Sequence, residues 1–343
     1  MAGGGLARLT MSDPILVEVT RGGLVESRHR GAIAIADADG VMVLAVGDVA
    51  MQVFPRSAVK ALQALALVES GAADRYAFGD EELALACASH SGEPAHVGGV
   101  ARMLAKAGLD VSALCCGTHW PVSQPAAFAL ARTGAPSALH NNCSGQHAGF
   151  LCVACAMGVD HVGYWRPEHA VQREVHAVLE DVTGAALSQN RRAVDGCSVP
   201  TWAAPLQNLA QAFAKFGSGH GLAPERARAA ARLRTACARK PWYVAGTGRF
   251  CTEIMRLLGA RAYVKTGAEG VFCGALPELG FGIAIKCDDG AGRAAEAIMA
   301  AVVARFLPLA TEERAALAPF LQPALRNWNG IEVGVLRVTE ALA

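Results

Sequence analysis

The sequence predicts an α+β fold in which one antiparallel sheet is built from both ends of the chain, with a mainly helical stretch between them. Three observations carry this. Short apolar runs of strand length open the chain, similar runs return after residue 258, and the region between repeats its apolar residues at helical spacing. The first strands are expected at 15–19, 32–36 and 41–46, the last two joined into a hairpin by Asp37, Ala38, Asp39 and Gly40. At residues 57–69 the pattern changes: Val59, Leu62, Leu65, Ala66 and Val68 supply one apolar face and Gly71 follows, which predicts a helix. Further helices are expected over 96–107, 126–132, 147–157, 168–181, 202–216 and 224–240, separated by Gly and Pro. Strands at 262–265, 271–275 and 281–286, a helix over 293–306 and a last strand at 331–338 complete the pattern. The expected organisation is a sheet lobe from 13–56 and 259–343, a helical lobe from 57–258, and a site in the groove between them.

Composition narrows the function. Net charge is +1 over 343 residues, with Lys and Arg scattered, so no basic surface for nucleic acid is expected and a small neutral or zwitterionic partner fits better. No charge-free run of about 18 apolar residues appears, so no membrane span is expected. Residues 1–12 are Gly-rich without the apolar run of a signal peptide and read as a disordered leader; a cytoplasmic location is expected. The 11 cysteines are irregularly spaced and mostly in apolar segments, which predicts reduced thiols with an occasional metal ligand. Cys152 and Cys155 have redox-motif spacing, but their apolar helical setting predicts core packing.

Five polar clusters interrupt the apolar pattern. In Arg56-Ser57-Ala58-Val59-Lys60 the serine opens a helix and the lysine follows one turn later, on the same face. A hydroxyl becomes a good nucleophile when a neighbouring amine of lowered pKa takes its proton. By itself the spacing also describes a serine cap beside a surface lysine. Lys265-Thr266-Gly267, at the end of a predicted strand, adds to it, because Ser-x-x-Lys followed much later by Lys-Thr-Gly is the pair found in penicillin-recognising serine enzymes. A clear Ser-Asp-Asn is missing, which argues against a typical β-lactamase. Ala88-Ser89-His90-Ser91-Gly92-Glu93 reads either as a turn or as a second Ser-Lys pair, Ser89 with Lys265. His140-Asn141-Asn142-Cys143-Ser144-Gly145-Gln146-His147 and Asp195-Gly196-Cys197 are either solvated or part of a site, and Cys143 with Cys197 offers two soft ligands for zinc or two buried thiols.

Taken together these motifs resemble the L-asparaginase II family typified by the rhizobial inducible and constitutive enzymes, over nearly the whole chain. The resemblance implies a serine β-lactamase and glutaminase-like fold, a homodimer, and hydrolysis of L-asparagine to L-aspartate and ammonia through a serine acyl-enzyme. It places two Ser-Lys pairs on Ser57 with Lys60 and Ser89 with Lys265, and substrate contacts on Arg56, His147, Asp195 and Gly267. It also implies zinc, serving structure or substrate affinity rather than activating the nucleophile, on Cys143, Cys197 and a lysine three residues after the first cysteine. The sequence departs there, since Gln146 holds that position and an amide oxygen is a harder ligand than an amine. His147 is an alternative ligand. The rival readings are a serine-dependent glutaminase, a β-lactamase-like acyl hydrolase, and a non-catalytic amino-acid or metal sensor.

Overall fold

The computed structural model describes residues 12–342, so the expected leader lies, apart from Ser12, outside the described residues. An eight-stranded antiparallel sheet is assembled from both ends of the chain. Its order runs Ala324–Arg326, Glu332–Val338, Ile15–Arg21, Leu24–Ala36, Phe281–Cys287, Val271–Leu276 and Tyr263–Thr266, with Met42–Val46 also paired to Leu24–Ala36. Ile35 sits opposite Leu44 in the expected hairpin. Its turn is closed by the Asp37 carboxylate, which accepts from the N–H groups of Asp39 and Val41 at 3.0 and 2.9 Å.

The strand predicted at 32–36 starts at Leu24 instead. Its added half, Leu24–Arg30, alternates exposed charged residues with partly covered ones and gains its partner only when Ile15–Arg21 folds against it. One face of the sheet carries the helix Leu206–Ser218 and the other Gly292–Phe306. Gly282 meets Ala210 and Phe213 in the first, and Gly274, on the opposite side, meets Met299 in the second. The core between these layers holds Ile33, Ile35, Phe213, Phe272, Ile283 and Ile285, all fully buried.

The helix expected at 202–216 begins at Leu206, because Trp202 belongs to a short strand, Pro200–Trp202, paired with Arg192–Val194. The helix expected over 57–69 is segmented into a 3₁₀ turn, Arg56–Val59, followed by Lys60–Gln63 and Leu65–Glu69. Around them pack Asp80–Ala86, Pro94–Lys106, Ser144–Met157, Ala170–Thr183 and Pro224–Arg239. No helix among the described residues is long and apolar enough to cross a membrane.

Candidate active site

Two lysines that the sequence separates by about 200 positions meet inside the molecule. Lys60 and Lys265 are each 1% exposed, and Ser89 lies between them. Lys60 Nζ donates to Ser89 Oγ at 3.2 Å, and Lys265 Nζ donates to the same oxygen at 2.8 Å. The remaining donors of Lys60 go to the Ala88 carbonyl at 2.7 Å and Cys143 Sγ at 3.0 Å; Lys265 also donates to the Thr266 carbonyl at 2.8 Å. Three elements supply this cluster. Lys60 comes from the segmented helix, Lys265 from the strand Tyr263–Thr266, and Ser89 from a loop fixed by Ser89 N–H to Val244 O and His90 N–H to Asn142 O, at 2.9 and 3.1 Å. Burial, and then the charge of Lys60, lower the Lys265 pKa from 10.5 to about 7.

On the other side of Lys60 is a small cavity lined by Arg56, Ser57, Gln63, Gln146, Asp195 and Cys197 among others. Ser57 is half-buried there. A hydrogen bond from the Cys197 thiol, and against burial the Lys60 charge, hold the Cys143 thiol down to about 5; Cys143 and burial push Cys197 up. Gln146 Nε2 donates to Gln63 Oε1 at 2.6 Å, and Gln146 Oε1 is buried without a partner. Arg56 Nε is bonded to Asp195 Oδ2 across the cavity. Burial works to raise the Asp195 carboxyl, but the hydrogen bond and charge of Arg56 outweigh it and hold it below its ordinary value.

The backbone is strained around this cavity. Arg56, Ser198 and Glu269 take positive φ of 53°, 82° and 54°, which L-residues seldom adopt and which gathers at functional sites. The Lys-Thr-Gly strand packs so closely on the Ser57 turn that a methyl group on Gly267 would lie 2.8 Å from the Pro55 carbonyl oxygen.

Residues 17–338 match the L-asparaginase II family. The chain belongs to that family. No curated protein matches the chain. Among solved structures, Mglu in its native form is 17% identical with a TM-score of 0.38, over 82% of this chain and 64% of that one. A β-lactamase from Mycobacterium bovis is 16% identical with a TM-score of 0.38, over 80% of this chain and 94% of that one. This chain thus spans 64% of the length of Mglu.

Within this family member Ser57, Lys60, Arg56, Asp195, Gln146 and Cys197 line one cavity, with Cys143 beside Lys60. Ser57 is not among the hydrogen-bond partners of Lys60, whose donors point to Ser89, Ala88 and Cys143 instead. Ser89 and Lys265 lie behind Lys60, away from the cavity lining. Gly267 spends its N–H on the Val271 carbonyl, at 2.8 Å. His147 is fully buried outside the lining; its Nδ1 bonds Tyr164 Oη at 2.6 Å, and burial, then Lys60, lower it to about 3, so it is neutral.

Sequence reading missed Gln63, Tyr164 and Thr201. Gln63 carried a usable signal, being a polar residue one turn after Lys60 in an otherwise apolar helix. Thr201 and Tyr164 carried none, because only the fold brings them near.

Proposed function

We propose that this chain hydrolyses L-asparagine to L-aspartate and ammonia through an ester on Ser57. The observation that carries the reading is Ser89 Oγ held between Lys60 and Lys265, directly behind the cavity that Ser57 lines. Ser57 is the nucleophile because it is the serine with open space beside it, whereas Ser89 is 4% exposed and enclosed by both amines.

The proposed proton route starts from this geometry and requires Lys60 Nζ to turn from Ser89 and Cys143 to Ser57 Oγ. Lys265, neutral above about pH 7, takes a proton from Ser89 Oγ as Ser89 takes one from Lys60 Nζ. Lys60, then neutral, accepts the Ser57 hydroxyl proton as Oγ attacks the side-chain amide carbon. The tetrahedral intermediate collapses when the proton returns to the amide nitrogen and ammonia leaves. Water repeats the sequence on the ester and frees aspartate. Arg56 and Asp195 present one positive and one negative group at the cavity, matching the α-carboxylate and α-ammonium of an amino acid.

Zinc belongs to the same proposal. Cys143 and Cys197 come together and the unpartnered Gln146 Oε1 lines the cavity with Cys197, a set of two sulfurs and one oxygen that fits the ion. Among the described residues no group of three His, Cys, Asp or Glu offers an alternative. When bound, zinc would hold both thiols as thiolates and rigidify the cavity wall. Cytoplasmic residence and a homodimer complete the reading.

The test compares ammonia release from asparagine and from glutamine, and ring opening of a chromogenic β-lactam followed by its colour change, in wild type and Ser57→Ala. Asparagine turnover should exceed the other two, and Ser57→Ala should lose roughly a thousandfold or more. A folded Ser57→Ala protein of wild-type rate overturns the assignment.

A further inference from the structure

His90 takes no part in the proton route, yet it is the residue next to Ser89, and a fully buried histidine needs partners for both ring nitrogens. It has them. Gly92, turned back by a positive φ of 70°, donates its N–H to His90 Nδ1 at 3.1 Å, so that nitrogen is the bare acceptor and the ring proton sits on Nε2. Nε2–H donates in turn to Ser144 Oγ at 2.9 Å, and the Ser144 hydroxyl donates to the Leu139 carbonyl, also at 2.9 Å. A second proton on Nδ1 would face the Gly92 N–H, so the imidazole is held neutral. Burial, then His96 and the charge of Lys60, act in the same direction and push its pKa well below the ordinary value. The ring is also stacked. His96 lies parallel to it with centroids 5.0 Å apart, and Trp242 covers His96 at 3.9 Å. Segment 88–93 is thus clamped from two sides, by the start of the helix Ser144–Met157 and by the turn Pro241–Ala245, whose Val244 and Ala245 carbonyls accept from Ser89 N–H at 2.9 Å and Ser91 Oγ at 2.7 Å.

We propose that His90 is a positioning residue for the proton relay: its imidazole, locked between the Gly92 N–H and Ser144 Oγ, fixes the loop at the setting in which Ser89 Oγ lies between Lys60 and Lys265. The proposal rests on the asparaginase reading for the reaction that the relay serves, but the lock itself is measured without activity. Ser89 Oγ stands 3.2 Å from one amine and 2.8 Å from the other, so a small shift of the loop breaks at least one of these bonds. A misplacement of about 1 Å in such a constellation costs on the order of a hundredfold in rate. Ser89 does not line the cavity, so the loss falls on kcat and leaves KM in place.

The two bonds of the ring can be cut separately. His90→Asn keeps an acceptor for the Gly92 N–H, in an Asx turn, but is too short to reach Ser144. His90→Gln places an amide N–H where the ring Nε2–H stood, and Ser144→Ala removes the partner from the other side. In His90→Asn, kcat for asparagine should fall about a hundredfold with KM within about twofold of wild type. His90→Gln should recover at least about tenfold of that loss. Ser144→Ala should fall as His90→Asn does, and the double variant should be no worse than His90→Asn alone, because both cut one bond. Backbone amide hydrogen exchange at Ser89 and His90 should be at least about tenfold faster in His90→Asn and return toward wild type in His90→Gln, with the strand Phe281–Cys287 unchanged throughout. If exchange behaves in this way while wild type releases no ammonia from asparagine, the lock stands and the asparaginase reading falls. Losses that multiply in the double variant, a His90→Gln protein no better than His90→Asn, or kcat and KM lost together would overturn the positioning role. Should His90→Asn not fold, Ser144→Ala decides alone: wild-type kcat and wild-type exchange at Ser89 in that variant reject the proposal.

Discussion

The two serines have opposite surroundings, and in the proposed reaction that difference sets their roles. Ser57 has space and no lysine bond; Ser89 has two lysine bonds and no space. In the proposed relay the terminal base is Lys265, so kcat, which reports the enzyme–substrate complex rather than free asparagine, should follow its titration. Below about pH 7 the amine keeps its proton and the relay has no acceptor; above it the amine is neutral. We expect kcat to fall about tenfold per pH unit well below 7 and to level off above it. A kcat flat from acid to neutral pH would reject Lys265 as the acceptor. At the same scale, purified protein should contain zinc, and Cys143→Ser should lower both metal content by elemental analysis and affinity for substrate. Metal-free wild-type protein with unaltered kinetics in Cys143→Ser would remove the metal from the proposal.

Among the elements, the helix Ser144–Met157 matters most to the candidate site, since it carries Gln146 and follows directly from Cys143. It lies against Asp80–Ala86 at Gly145, where an added methyl group would stand 2.3 Å from the Leu85 carbonyl oxygen. Gly145→Ala must therefore push apart the helix beside Cys143 and the helix that leads to Ser89. The expected result is a loss of about 1–3 kcal/mol in denaturant unfolding together with a fall in kcat/KM. Wild-type stability and rate in that variant would show that the two helices are not so closely seated. Legibility differed between elements for physical reasons. The hairpin around Asp37–Gly40 was readable because its turn chemistry is local. The polar half of Leu24–Ala36 was not, because an alternating charged segment becomes a strand only through its neighbour. The segmentation after Pro55 was equally hidden, since a positive φ at Arg56 is not what an arginine favours by residue type.

For the whole molecule, burying Lys265 has a stability consequence that separates it from ordinary lysines. Its folded pKa of about 7 lies below the unfolded value of 10.5, so between those limits the unfolded chain binds one proton more than the folded one. Wild-type stability should consequently rise with pH across that window, by up to about 1.4 kcal/mol per pH unit from this group. Lys265→Met lacks that proton and should show a shallower rise, measured by denaturant unfolding at several pH values between 7.5 and 9.5. Parallel pH dependences in the two proteins would contradict the lowered pKa. On the proposed proton route, Lys265 is a buried amine that costs stability at neutral pH and is kept for its chemistry against the interest of the fold.

The sequence by itself determined the α+β class, the use of both chain ends in one sheet, and the identity of the polar clusters, because apolar periodicity and turn residues act over a few positions. It also named Ser57, Lys60, Ser89, Lys265, Cys143 and Cys197 as candidates by chemical type and resemblance. Only the tertiary structure decided how they pair: Lys60 turns from Ser57 toward Ser89 and Cys143, Lys265 reaches Ser89 from a distant strand, and Arg56 closes on Asp195. Those choices depend on hydrogen bonds and burial between segments far apart in the chain, and such contacts leave no periodic trace along it.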